Sequence, residues 1–161
     1  MAFNLSTERL RLRPWADTDV DEYRALVTER GSGVPSVANI QGRIATQLAA
    51  TAETGIALLA ICRRLEGDFI GYCGLIVGRS SLDEPEIAYE LFRSAHGRGY
   101  ATEAAQAVLD AAIATGRTRL WSTVASWNTP SLRVLEKLGF ERDHLTKDNG
   151  DELVWFTRVL P

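Results

Sequence analysis

Apolar residues return at helical spacing in four segments of the chain. This spacing predicts helices over residues 18–30, 40–52, 101–115 and 128–138. In the second helix, Ile44, Leu48 and Ala52 are expected to face inward. Gly116 and Gly139 follow the third and fourth helices, where glycine commonly ends a helix. Pro130 lies in the first turn of the fourth helix, a position that proline favours.

Shorter segments between the helices have the patterns of strands. Residues 56–62 are continuously apolar, which is typical of a buried strand, whereas residues 120–124 alternate. Asn149 and Gly150 predict a hairpin turn between the last two strands. The predicted strands cover residues 10–13, 56–62, 69–77, 86–92, 120–124, 140–144 and 153–159. The elements follow the order β-α-α-β-β-β-α-β-α-β-β in what we expect to be one domain, residues 1–161.

The composition is that of an ordinary globular protein, with 45% hydrophobic and 24% charged residues. The net charge of −3 argues against a nucleic-acid partner and mildly suits a cationic amine. Cys62 and Cys73 form no Cys-x-x-Cys pair, so we expect free thiols, no metal site and a reducing, cytoplasmic location. We expect neither a secretory signal nor a membrane span, because no segment has the ~18 apolar residues that a span needs.

A glycine-rich turn precedes the third helix, with Gly97 and Gly99 on either side of Arg98. The first N–H groups of a helix have no intrahelical partner and lie at the positive end of its dipole, so the turn predicts an anion site. A dinucleotide fingerprint is excluded, because Thr102 stands in place of the third glycine and the region near Arg119 is not acidic. A P-loop is excluded because Gly-Lys-Ser/Thr is absent. A glycine turn that merely starts a helix is the structural alternative.

Two further motifs frame this turn. Residues 86–92 (Glu-Ile-Ala-Tyr-Glu-Leu-Phe) precede it, and residues 128–140 (Asn-Thr-Pro-Ser-Leu-Arg-Val-Leu-Glu-Lys-Leu-Gly-Phe) follow it after a strand. Together with residues 7–15, this order resembles the GNAT acetyltransferase superfamily over nearly the whole chain. The chain is most similar to the branch that acetylates the N-terminal alanine or serine of ribosomal proteins. The resemblance implies an α/β (α+β) fold, with a mixed, largely antiparallel central sheet of about seven strands flanked by about four helices.

The resemblance also implies acetyl-CoA as the acetyl donor, with its diphosphate on the N–H groups of the glycine turn. The family pattern maps onto residues 96–101, with His96 in place of Gln or Arg and Ala101 at the final Gly or Ala position. His96 is expected to be a loop contact rather than a base. Asn128 is expected either to cap the fourth helix or to contact acetyl-CoA. The full set expected to bind acetyl-CoA is Leu91, Phe92, His96, Gly97, Arg98, Gly99, Tyr100, Ala101, Thr102 and Asn128.

The candidates for a general base are two carboxylates on one predicted strand. By resemblance Glu86 is the first candidate, acting through a water molecule, and Glu90 is the second. Strand alternation gives both side chains the same face, so both are expected to line one open side. The alternative for each is an ordinary solvated or salt-bridged strand residue.

The resemblance assigns the other steps less completely. The oxyanion donor is expected to be a main-chain N–H at Leu91 or Phe92. Many relatives carry a tyrosine acid at the position of Leu135, so that role is vacant here. Ser131 is the candidate that replaces it, and an ordinary hydroxyl at the start of a helix is the alternative.

The acceptor is expected to be an N-terminal α-amine of a protein or peptide. An α-amine has a pKa of about 7.7–8.0, against about 10.4 for lysine, so it needs only a modest base. A small amine (a polyamine, an amino acid derivative or an antibiotic) and a non-catalytic sensor that binds acyl-CoA stay open as alternatives. The protein is expected to be a monomer or a homodimer, without a nucleic-acid or membrane partner.

Overall fold

Eight strands form one continuous sheet in the computed structural model, which describes residues 1–161. Their order is β1-β2-β3-β4-β5-β6-β8-β7, and every neighbouring pair is antiparallel except β5 and β6. The strands are β1 (Leu5–Ser6), β2 (Leu10–Arg13), β3 (Leu58–Arg63), β4 (Phe69–Ile76), β5 (Glu86–Leu91), β6 (Arg119–Ala125), β7 (Glu141–Asp148) and β8 (Asp151–Val159). The predicted mixed, largely antiparallel sheet is confirmed, with β1 as an additional short strand.

The four helices are α1 (Val20–Glu29), α2 (Val37–Thr54), α3 (Tyr100–Ala114) and α4 (Thr129–Lys137). Helix α2 begins earlier than its apolar pattern predicts, because the Ser36 side chain caps it by accepting from the Asn39 N–H. Within α2, Ile44 is buried as predicted. The predictions for Leu48 and Ala52 are wrong, because Leu48 is 41% exposed and Ala52 is exposed as well.

The sheet is packed on both faces. A larger hydrophobic core lies under α3 and α4, and a smaller one lies between the sheet and helices α1 and α2. Next to the smaller core, the buried Asp19 carboxylate accepts two hydrogen bonds of 2.8 Å from the Arg13 guanidinium. This pair joins β2 to the short 3-10 turn (Asp17–Asp19) that leads into α1.

Strands β5 and β6 diverge soon after they meet. Their register contains one pair, Glu86 with Trp121, whereas β4 and β5 are in register over six pairs. Just beyond that pair, the Ser122 hydroxyl donates a hydrogen bond of 2.9 Å to the Ile87 carbonyl. The rest of β5 therefore has no strand on this side, and the gap opens at its C-terminal end.

Candidate active site

A cavity lies where β5 and β6 have separated. It has a volume of about 540 Å³ and is walled by the end of α1, the end of β5, the glycine turn with the start of α3, and residues 127–137. Three consecutive residues of β5, Tyr89, Glu90 and Leu91, all line it. Because neighbouring strand residues point to opposite faces, the cavity passes around the open edge of β5.

The glycine turn forms one wall of this cavity and is shaped for an anion. Gly97 and Gly99 have φ angles of +74° and +78°, which residues other than glycine adopt only with strain. Gly99 is the N-cap of α3 and no side chain caps the helix, so the first N–H groups, from Tyr100 onward, are free of such a partner. Glu103 is the first residue to donate back, to the Gly99 carbonyl at 3.0 Å. This uncapped helix start fits a diphosphate.

The predicted acetyl-CoA contacts line this cavity with two exceptions. His96, Gly97, Gly99, Tyr100, Ala101 and Thr102 line the cavity, and so do Leu91 and Asn128. The two exceptions are Arg98 and Phe92, which are absent from the lining. The Arg98 carbonyl accepts a hydrogen bond of 2.9 Å from Arg9, and the Phe92 ring packs edge-on against Phe69.

Arg9, which sequence reasoning missed, holds the turn in place. Its Nε donates to the Glu103 carboxylate at 2.8 Å, and its guanidinium lies 4.4 Å from the centre of the Tyr100 ring. The Thr7 hydroxyl donates to the same carboxylate. Burial acts to raise the pKa of Glu103, but the hydrogen bonds from Thr7 and Arg9 outweigh it and hold the pKa below its ordinary value. The carboxylate near the anion site is thereby neutralised by Arg9.

His96 contacts the strand rather than standing free. Its Nε2 lies 3.1 Å from the Leu91 carbonyl oxygen. Because a carbonyl can only accept, this contact requires the tautomer with its hydrogen on Nε2. The ring therefore joins the glycine turn to the end of β5, which is the geometry of a loop contact.

The two residues considered for the oxyanion N–H differ in direction. The Phe92 N–H donates to the Ile70 carbonyl at 2.9 Å, so it points towards β4 and is occupied. The N–H of the preceding residue, Leu91, points the other way along an extended strand, towards the gap left by β6. Of the pair, Leu91 alone faces the cavity.

Glu86 and Glu90 have different surroundings despite their shared face. Glu86 is 3% exposed and does not line the cavity. Its carboxylate accepts a hydrogen bond of 2.7 Å from the Thr123 hydroxyl and another from the Arg79 N–H, and Gly78 packs directly against it. The expectation that both carboxylates line one open side is therefore wrong for Glu86, because the loop after β4 covers it.

Glu90 lines the cavity as half of an ion pair. Nε of Arg30, at the end of α1, lies 3.0 and 2.9 Å from the two Glu90 carboxylate oxygens, and the guanidinium Nη2 also donates to one of them. The hydrogen bond to Glu90 raises the pKa of Arg30 further above its ordinary value, so the guanidinium stays charged. Arg30 was not identified from the sequence, since nothing in the pattern links residues 60 positions apart.

The start of α4 forms the wall opposite β5. The Asn128 side chain accepts from the Ser131 N–H at 3.4 Å and so caps the helix, while Asn128 also lines the cavity. Ser131 lines the cavity, and its hydroxyl has no hydrogen-bond partner in the protein. Leu135 is fully buried in the larger core and lies outside the lining.

Two further classes of site have no counterpart in the structure. No group of three or more His, Cys, Asp or Glu side chains is arranged to hold a metal ion. None of the four helices combines the length and the apolar character that crossing a membrane requires. Cys62 and Cys73 are both free thiols.

Comparison with known proteins identifies the family. A family model described as the acetyltransferase (GNAT) domain matches residues 9–141, so the chain belongs to the GNAT acetyltransferase family. The chain is 28% identical over 159 residues to an uncharacterized N-acetyltransferase p20 of Bacillus licheniformis, covering 89% of this chain and 85% of that protein. A solved acetyltransferase from Agrobacterium tumefaciens is 31% identical, with a TM-score of 0.82 over 98% of this chain and 95% of the other.

A solved ribosomal L7/L12 α-N-protein acetyltransferase in complex with coenzyme A has the same fold. Its TM-score is 0.84 over 98% of both chains, at 16% identity. The chain is therefore an acetyl-CoA-dependent N-acetyltransferase of the GNAT family, and the uncapped start of α3 is the part of the cavity that suits the phosphates of acetyl-CoA. The ribosomal-protein branch stays a prediction.

Proposed function

We propose that this acetyltransferase modifies the N-terminal α-amine of a protein or peptide. The observation that carries the proposal is the state of the carboxylates at the cavity. Glu90 is paired with Arg30, and the Glu29 carboxylate accepts from the Arg93 N–H at 2.6 Å. Both carboxylates are therefore already engaged by donors, and neither is a free base in the cavity. They suit an α-amine, with its pKa of about 7.7–8.0, better than a lysine or polyamine amine with a pKa near 10.4.

The charge around the cavity supports the same choice. Four cationic side chains line it, Arg30, Arg93, Arg133 and Lys137, against the two carboxylates of Glu29 and Glu90. Positive surroundings attract the phosphates of acetyl-CoA and disfavour polycationic acceptors such as polyamines and aminoglycosides. The net charge of −3 for the whole chain had mildly favoured a cationic acceptor, and the local balance argues the other way.

The proposed reaction is a direct transfer. The neutral amine nitrogen attacks the thioester carbonyl carbon, the carbon–sulfur bond breaks, and the amine loses one proton. We assign the oxyanion contact to the Leu91 N–H and the stabilisation of the departing thiolate to the Ser131 hydroxyl. We assign the proton to Glu90, directly or through water, once Arg30 has released one carboxylate oxygen. Glu86, the first candidate from the sequence, is less favoured because its carboxylate is covered.

The acceptor is tested by product identification. The protein is incubated with acetyl-CoA and a pool of peptides with free N-termini, polyamines, amino acids and aminoglycosides, and acetyl additions are read by mass spectrometry. We expect peptide products modified at the α-amine. A small-amine product alone would contradict the proposed acceptor, and binding of acetyl-CoA without any turnover would indicate a sensor.

The base is tested by Glu90→Gln, with Glu86→Gln as a matched control on the same strand. We expect Glu90→Gln to lower kcat by about 10²-fold, the usual contribution of general-base catalysis. Glu86→Gln should lower stability more than turnover, because it weakens a buried acceptor of two hydrogen bonds. If both variants and the double variant turn over every acceptor normally, neither carboxylate is the base.

A further inference from the structure

Tyr89 connects the two walls of the cavity. It lies on β5 and lines the cavity, and its hydroxyl donates a hydrogen bond of 2.8 Å to the carbonyl oxygen of Ser131 in the first turn of α4. Burial raises the pKa of Tyr89 well above its ordinary value, so the hydroxyl keeps its proton as a donor. The contact crosses the gap at a point where β5 and β6 no longer pair.

The contact fixes Ser131, a residue of α4 that lines the cavity and whose hydroxyl is free. The Ser131 N–H is bound by the Asn128 side chain and its carbonyl by Tyr89, so the peptide groups on both sides of its Cα are held. The Ser131 hydroxyl, in contrast, has no partner in the protein, and Ser131 lines the cavity. No other side-chain hydrogen bond joins β5 to α4.

Tyr89 is also two residues before Leu91 on the same strand. The Leu91 N–H points into the gap, and the Tyr89 side chain reaches across it to α4. One short stretch of strand therefore sets the distance between a donor on β5 and a donor on α4.

We propose that Tyr89 is a positioning residue for acetyl transfer, which holds the Ser131 hydroxyl opposite the Leu91 N–H so that the oxyanion and the departing sulfur meet their donors together. This inference rests on the proposed roles of Ser131 and Leu91. Tyr89 keeps its own proton throughout and acts only through Ser131. The vacancy at Leu135 is then filled by two residues, a serine that contacts the sulfur and a tyrosine that fixes the serine.

The test is a double-mutant cycle between Tyr89→Phe and Ser131→Ala. Tyr89→Phe retains the ring and removes only the hydroxyl, and Tyr23→Phe is the matched control, since Tyr23 is buried in the other core away from the cavity. We expect Tyr89→Phe to lower kcat by roughly 10-fold, the effect of one lost hydrogen bond, while KM for acetyl-CoA changes by less than about 2-fold. In the Ser131→Ala background, Tyr89→Phe should then change kcat by less than about 2-fold.

Equal losses of kcat in both backgrounds would overturn the inference, and so would an effect on KM alone. The hydrogen bond from Tyr89 to the Ser131 carbonyl, here called the tether, is tested separately. The measurement is hydrogen exchange of the amides in the first turn of α4 without substrate. Exchange should rise in Tyr89→Phe and stay unchanged in Tyr23→Phe. Unchanged exchange in Tyr89→Phe would refute the tether even if transfer occurs. A wild-type protein that acetylates no amine would refute the proposed function and leave the exchange result to decide on the tether.

Discussion

Comparing Gly97→Ala with Gly116→Ala distinguishes a loss of anion binding from the loss of stability that any substitution of a glycine with positive φ causes. Gly97 and Gly116 flank α3 with φ angles of +74° and +82°, and a methyl group added at either meets no protein atom within 4 Å. Alanine in this conformation costs about 1–2 kcal/mol, partly offset by about 0.4–1 kcal/mol because the unfolded chain loses freedom. Both variants should therefore lose roughly 1 kcal/mol of stability, or about 2–4 °C in Tm for a chain of this size.

Only the Gly97 variant should also lose affinity for coenzyme A. Gly97 lines the cavity, so its new methyl group displaces a phosphate from the N–H groups of the turn. One lost hydrogen bond to a charged group is worth about 1.5–3 kcal/mol, which raises Kd by roughly 10- to 100-fold. Titration calorimetry with coenzyme A and thermal unfolding measure the two effects separately. If Gly97→Ala binds as tightly as Gly116→Ala, the diphosphate does not lie on this turn.

Two further predictions concern charged groups. Asp19→Ala should cost about 3–5 kcal/mol, because it leaves its arginine partner uncompensated at a site where the Asp19 side chain is 4% exposed. Asp68→Ala, which breaks an ion pair with a 47% exposed carboxylate, should cost less than about 1 kcal/mol. Equal losses of unfolding free energy in urea would show that burial does not determine how much these two ion pairs contribute to stability. The lowered pKa of Glu103 makes its contribution to stability complete above its ordinary value of 4.5 and lost as the pH falls through the lowered pKa. The stability gap between wild type and Glu103→Gln should therefore narrow in acid, and a gap that is constant from about pH 7 to about pH 3 would contradict this.

The order of helices and strands could be predicted because each carries its own apolar period. Strand β1 could not, because its two residues show no period and pair only through β2, Leu5 opposite Leu12. The early start of α2 was set by the Ser36 cap, a local signal that the apolar pattern does not contain. Leu48 was misassigned because only one part of the apolar stripe of α2 is covered by α1 and the sheet.

The residues of the candidate site also fall into two groups: those that neighbouring sequence predicts, and those that depend on contacts distant in sequence. Gly97 and Gly99 could be identified because residues adjacent in sequence determine the conformation of the turn. Arg9 and Arg30 were missed because each acts on a carboxylate far away in sequence. Alternation correctly gave Glu86 and Glu90 one face, but it says nothing about which loop covers that face.

The phase of α4 explains why Ser131 lies at the cavity, whereas Leu135, at the position of the family's tyrosine, lies in the core. Asn128 fixes where the helix begins, and from that start Leu132 and Leu135 turn into the core, 7% and 0% exposed. Val134 lines the cavity, and around the helix axis Ser131 lies between Val134 and the buried Leu135. Of the residues in the first turn of α4, Ser131 alone brings a protic side chain to the cavity. The start of the helix therefore determines which side chain of its first turn faces the cavity and which turns into the core.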